Sequence, residues 1–190
     1  MSKIIHFMKT YKLPYTIRNN FGEILHFQSI RTEGSKTFID VTNEVQPGCG
    51  PVMHVHFKQD EYLRVVEGRM GYQIAGGAEQ FAGPGESATF HAGQMHRFWN
   101  AGDDVLKCEG WISPPNNIIY YLENIYRLQN EGGGEPGGFE AAYLIRKYRS
   151  EFDVAAIPGF VKNVIFPIVV FFGKLAGKYR KFADAPPAVR

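Results

Sequence analysis

Between Phe21 and Trp111 the chain runs as short aromatic and β-branched segments, each cut off by a turn signal, with no helical periodicity between them. Segments 21–30, 35–45, 52–57, 61–66, 69–74, 78–81, 87–91, 96–99 and 105–112 read as strands. Pro47-Gly48, Gly50-Pro51, Glu67-Gly68, Gly76-Gly77, Gly83-Pro84-Gly85, Ala92-Gly93 and Ala101-Gly102 punctuate them. Short strands at such spacing bury a face only by packing sheet on sheet or by closing on themselves. The segment is therefore all-β, a sandwich or a barrel. With 190 residues, 44% of them hydrophobic and 21% charged, the chain can fill the core of one ordinary domain, which excludes a disordered chain.

The pattern changes after Pro114-Pro115. Asn116-Asn117 is placed to cap a helix, and Ile118, Leu122, Ile125 and Gln129 follow at helical spacing. The run Glu131-Gly-Gly-Gly-Glu-Pro-Gly-Gly breaks that helix and predicts a mobile loop; 139–149 reads as a second helix. Residues 1–115 thus form the β domain with an N-terminal strand segment. Residues 116–190 form a helical extension that packs on the barrel or on a partner subunit, ending in a frayed tail from 183.

Charge is spread unevenly as well, with its own break further on. Residues 1–140 carry 12 Lys and Arg against 16 Asp and Glu, whereas residues 141–190 carry nine against three. A net charge of +2 and no recognisable pair of DNA-binding helices argue against a nucleic-acid partner. Nine apolar residues, Val164 to Phe172, are too few to span a bilayer, which takes about 20. Pro167 kinks any helix there. Three covers suit this segment: its own barrel, a homodimer interface, or, ranked below these, a peripheral membrane contact through 159–182. Cys49 and Cys108 stand in no CxxC pair and read as free thiols of a reducing compartment. Residues 1–9 lack the apolar run of an export signal, so the expected location is cytoplasmic.

The chemistry concentrates between Gly48 and Asn100. His54 and His56 are two apart on a strand, so alternation puts both imidazoles on one face. A turn at 58–60 brings Glu61 back beside them, and two imidazoles with a carboxylate make a facial set of metal ligands. His96, just after the Ala92-Gly93 turn, offers a third imidazole. Alternation places Phe98 and Asn100 on the face of His96 and Leu63 on that of Glu61. Tyr72, Gln73 and Trp111 are further lining candidates. Phe98, Asn100, Leu63, Tyr72 and Gln73 form the expected substrate-binding set, and an aromatic, mostly apolar lining suits a small organic ligand. Arg97 and Glu109 read as solvent-facing charges and His91 as a turn residue.

These residues resemble the two motifs of the cupin superfamily. The first, G-x5-H-x-H-x(3,4)-E-x6-G, is met by Gly48, His54, His56, Glu61 and Gly68. The second, G-x5-P-x-G-x2-H-x3-N, is met by Gly85, Gly93, His96 and Asn100, with His91 at the proline position. The resemblance implies a double-stranded β-helix, the jelly-roll barrel, with a C-terminal α-helical extension. It also implies one divalent transition metal, Fe, Mn, Ni, Cu or Zn, held by His54, His56, Glu61 and His96. The expected function is a metal-dependent oxidoreductase such as a dioxygenase, with Glu61 able to act as base. The alternatives are a non-redox isomerase or lyase, or a non-catalytic small-molecule-binding protein.

Overall fold

The computed structural model describes residues 11–134 and 138–190. Ten strands come first: β1 (Tyr15–Arg18), β2 (Glu23–Glu33), β3 (Lys36–Val45), β4 (His54–His56), β5 (Asp60–Glu67), β6 (Met70–Ile74), β7 (Gln80–Ala82), β8 (Ser87–Phe90), β9 (Met95–Asn100) and β10 (Leu106–Ser113). Then follow α1 (Ile118–Gly132), α2 (Gly138–Lys147), β11 (Phe152–Val154) and α3 (Phe166–Leu175). All nine segments read as strands from the sequence are strands.

The ladders form two sheets, with orders β1-β2-β3-β10-β5-β8 and β11-β4-β9-β6-β7. Every pairing is antiparallel, though only β1–β2, β2–β3 and β6–β7 are hairpins; the other pairings join strands distant in sequence. Alternation decides what each strand buries. In β5, Glu61, Leu63 and Val65 point inward; in β9, His96, Phe98 and Asn100 do. Leu63, Val65 and Leu106 of one sheet share a buried cluster with Met70 and Phe98 of the other, so the sheets pack face to face. Among the described residues no ladder joins the two sheets into one closed surface.

A second core joins the C-terminal segment to the first sheet. Ile17, Phe27, Ile39 and Val41 pack against Ile118, Leu144, Tyr148 and Phe152. Strand β11 pairs with β4, putting Val154 opposite His54 and Phe152 opposite His56. The extension therefore supplies an edge strand to the sheet that carries the histidines.

Three local expectations change. Asn117 stands at the N-cap of α1, but its amide does not bond the helix; it donates to Glu151 Oε1 at 2.7 Å and Pro187 O at 3.0 Å. Pro167 falls in the first turn of α3, after a π-helical turn over Val161–Ile165. Helical backbone runs unbroken from Phe160 through that π-turn into α3, so the proline sits in a continuous helix just after the wider turn. The tail is held rather than frayed: Tyr148 Oη donates to Pro186 O at 2.9 Å, Ser150 Oγ to Val189 O at 2.7 Å, and Val189 N to Glu151 Oε1 at 2.9 Å. Helix α1 ends where the glycine run begins, with Gly133 left-handed at φ 71°. Part of the predicted mobile loop, 135–137, lies outside the described residues, as does the N-terminal stretch read for an export signal.

Candidate metal centre

Three strands from two sheets converge on the site. β4 and β9 pair directly, with His54 opposite His96, and their ring centroids stand 4.4 Å apart. Glu61 reaches them from β5 across the sandwich, with Oε2 3.3 Å from His96 Nε2. The turn before β9 sets the approach: Gly93, left-handed at φ 85°, donates its N–H to His56 O at 2.8 Å. That ties the start of β9 to the end of β4. A side chain at Gly93 would strain this turn.

Backbone carbonyls select the tautomers. His54 Nδ1 lies 2.8 Å from Val52 O and His96 Nδ1 lies 2.9 Å from Gln94 O. Each Nδ1–H donates outward, so each Nε2 presents a lone pair to the site, the usual support of a metal-ligating imidazole. The His96 lone pair then faces Glu61 Oε2. Two electron-rich atoms at that separation require a positive species between them, a proton or a metal ion. His54, Glu61 and His96 bring one ligand atom each within 4.8 Å of one another. This donor set fits a divalent first-row metal.

His56 borders the group. Its Nδ1 is 3.7 Å from Glu61 Oε2 and has no hydrogen-bond partner although it is buried. Phe152 backs the ring edge-on at 5.5 Å. Burial, first of all, drives the His54 and His56 imidazoles well below their ordinary range, to about 4 and about 3. For Glu61, burial alone would push the carboxyl up. The close contact with His96 and the neighbouring imidazoles outweigh it and hold the group at about 2. Both histidines are therefore neutral, each keeping one ring N–H, and Glu61 is ionised, at neutral pH.

His54, His56 and Glu61 open on a cavity of about 400 Å³ with a mostly apolar wall. Leu63 and Phe98 line it, as expected, but Asn100, Tyr72 and Gln73 do not. Asn100 is buried with its amide engaged, donating to Val45 O and Asp104 O at 2.7 Å each and accepting from Gly102 N, so it knits loops together. Tyr72 points inward opposite Phe98, but it packs toward Phe90 and donates to Gln80 Oε1 at 3.0 Å. Gln73 pairs with Arg97 on the outer face, because its parity is opposite to that of Tyr72. Trp111 is likewise outside, between Phe38 and Tyr62. Arg97 and Glu109 form exposed ion pairs with Glu79 and Arg64, and His91 is an exposed turn residue 3.6 Å from Asp60.

The sequence reading missed the cavity's far wall, made by β2, β3 and α1. Leu122, Ile125 and Gln129 carried the helical periodicity, and that same stripe faces the cavity together with Tyr121 and Tyr126. Asn43 and Glu23 add polar atoms: Glu23 accepts from Asn19 Nδ2 at 2.7 Å, and Asn43 Oδ1 is buried without a partner. Burial, countered only in part by Asn19 and Tyr126, raises the Glu23 carboxyl above its usual range.

Residues 41–112 match the family profile of the cupin domain. That segment is similar to a cupin domain. The matched stretch runs from β3 to β10 and contains both histidine-bearing strands and Glu61. No curated protein matches the chain. Among solved structures, a cupin-superfamily sugar phosphate isomerase from Silicibacter pomeroyi is 25% identical at a TM-score of 0.41, over 48% of this chain and 59% of that one. This chain thus spans less than two thirds of that isomerase. An uncharacterised protein with a double-stranded β-helix domain from Klebsiella pneumoniae is 22% identical at a TM-score of 0.43, over 57% and 92%. KdgF from Halomonas sp. is 17% identical at 0.47, over 55% and 92%.

Proposed function

We propose that this cupin protein is a metal-dependent enzyme of the oxygenase type, acting on a small, mostly apolar organic molecule. One observation carries the reading. Two tautomer-fixed imidazoles and a buried, ionised carboxylate converge at the wall of an apolar cavity of about 400 Å³. His54, Glu61 and His96 would hold the ion, and the unpartnered Nδ1 of His56 makes His56 the fourth donor. A divalent metal bound there supplies Lewis acidity and, where it is redox-active, electron transfer.

The remaining roles belong to the chain. Leu63 and Phe98 pack on the apolar body of the substrate and exclude water from the carboxylate. Glu61, ionised and buried, supplies the negative charge that holds the ion, and once detached from it could take a proton from a bound substrate. The carbonyls of Val52 and Gln94 keep His54 and His96 from rotating during this exchange.

The test is metal content by elemental mass spectrometry on untagged protein, followed by O₂ consumption with small aromatic and diketone substrates. We expect about one Fe, Mn, Ni or Cu per chain. His56→Ala and His96→Ala should each cut metal retention by about tenfold or more. Full occupancy in His56→Ala removes that residue from the ligand set. Turnover without O₂ on a Zn-loaded protein replaces the oxygenase reading with an isomerase or lyase, and retention of a ligand without turnover replaces it with a binding protein. Failure to take up any metal after reconstitution overturns the reading.

A further inference from the structure

The C-terminal segment leaves an apolar face without a partner. Phe160, Val164, Ile168, Phe171, Phe172 and Leu175 are exposed by 40% to 72%. Their spacing of three or four residues puts them on one side of α3 and of the π-helical turn before it. The opposite side is taken: Val170 and Gly173 are buried, and a Cβ on Gly173 would come within 2.0 Å of the Phe139 ring of α2. The exposed side is therefore not waiting for its own domain, since α3 is already seated. A contiguous patch of this kind marks an interaction surface.

Charge and position choose the occupant. Lys174, Lys178 and Arg180 are exposed at the end of this face, and among the described residues they form no ion pair. Residues 159–182 contain no Asp or Glu, so a second copy of this face would offer these cations no carboxylate. An anionic lipid surface complements them, each basic residue near it contributing about 1 kcal/mol. No described helix is long and apolar enough to cross a membrane, so the helix would lie in the interface. The cavity also reaches the surface beside this face. Exposed Ala156 and Val52 both line it, and Ala156 precedes Phe160 by only four residues.

We propose that the face from Phe160 to Leu175 docks on an anionic lipid bilayer and holds the mouth of the cavity at the bilayer surface. The docking stands on exposure and charge and does not depend on the metal reading; delivery of an apolar ligand from the lipid to the cavity does.

Flotation of the full-length protein with phosphatidylcholine vesicles, with and without phosphatidylglycerol, tests the proposal. We expect binding to the phosphatidylglycerol vesicles at low salt, weakened by added salt. Phe171→Ser with Phe172→Ser should reduce it about tenfold or more. Both rings are exposed, so the melting temperature of this variant should match the parent's. Lys174→Glu with Lys178→Glu should abolish the preference for anionic vesicles and leave the fold intact. Absence of binding at low salt overturns the proposal. So does a dimer in sedimentation that the double serine variant splits and that ignores vesicles. The same vesicle result for metal-free and metal-loaded protein keeps this outcome separate from that of the metal centre.

Discussion

Asn43 is the one polar residue in the inward stripe Ile39, Val41, Asn43 and Val45 of β3. Its Oδ1 is buried against the cavity with nothing to accept from. An unsatisfied acceptor costs about 1–3 kcal/mol, whereas a leucine of similar volume would cost nothing in hydrogen bonds. Asn43→Leu should therefore raise the melting temperature of the ligand-free protein, by about 2–4 °C for each kcal/mol recovered in a chain of this size. Calorimetry that shows a lower melting temperature would mean that the amide already has a partner. The contrast with Asn100 shows what single residues reveal before folding. Both asparagines alternate inward on a strand. The cluster was legible because His54 and His56 alternate onto one face, Glu61 follows on the next strand, and all of them with His96 fall at cupin-motif positions. Whether an inward amide meets a loop carbonyl or an open cavity depends on what crosses its strand, and parity does not carry that information. Gln73 and Trp111 failed for a simpler reason: each was assigned without counting its parity from a buried neighbour.

At the scale of elements the strands were legible and their partners were not. Nine strands could be read because glycine and proline mark their ends. β11 could not, since Phe152-Asp153-Val154 is too short to show alternation; it exists because the edge of β4 needs backbone partners. It brings Phe152 against His56, so a residue that backs the candidate metal centre comes from the segment read as a helical extension. Helix α1 was legible, yet its apolar stripe indicated only that something is covered. The tail looked frayed by composition, but Glu151 is fully buried and gathers Asn117 and the backbone of Val189 around its carboxylate. The seat of α3 rests on the glycine contact with Phe139. Gly173→Ala should force the two helices apart at a cost of about 1–3 kcal/mol. The check is hydrogen exchange, with faster exchange expected in α2 and α3 and unchanged protection in β5 and β9. Uniform loosening of every element would mean instead that α3 and the sandwich unfold as one unit.

At the scale of the whole molecule the metal centre couples stability to pH. Folded, His54 and His56 take up protons only near pH 4 and pH 3; unfolded, both return to about their ordinary 6.5. Below pH 6.5 the unfolded chain therefore binds protons that the folded one refuses, and stability rises with pH throughout that window. Glu61 acts in the same direction lower down. Its carboxyl, held at about 2 against an ordinary 4.5, stays ionised in the folded state while the unfolded state protonates. The metal-free protein should thus melt at a nearly constant temperature above pH 6.5 and at a steadily lower one from there to pH 4, as scanning calorimetry in matched buffers would show. His54→Gln, which keeps a polar side chain but cannot protonate, should flatten that slope in part. A metal ion held there would sharpen the same response, because it would bind the neutral imidazoles and the carboxylate and be displaced as they protonate. The loaded protein should therefore resist acid to a lower pH and then lose its metal and its stability together. If loaded and metal-free protein followed one curve, the ion would be binding somewhere other than this buried cluster.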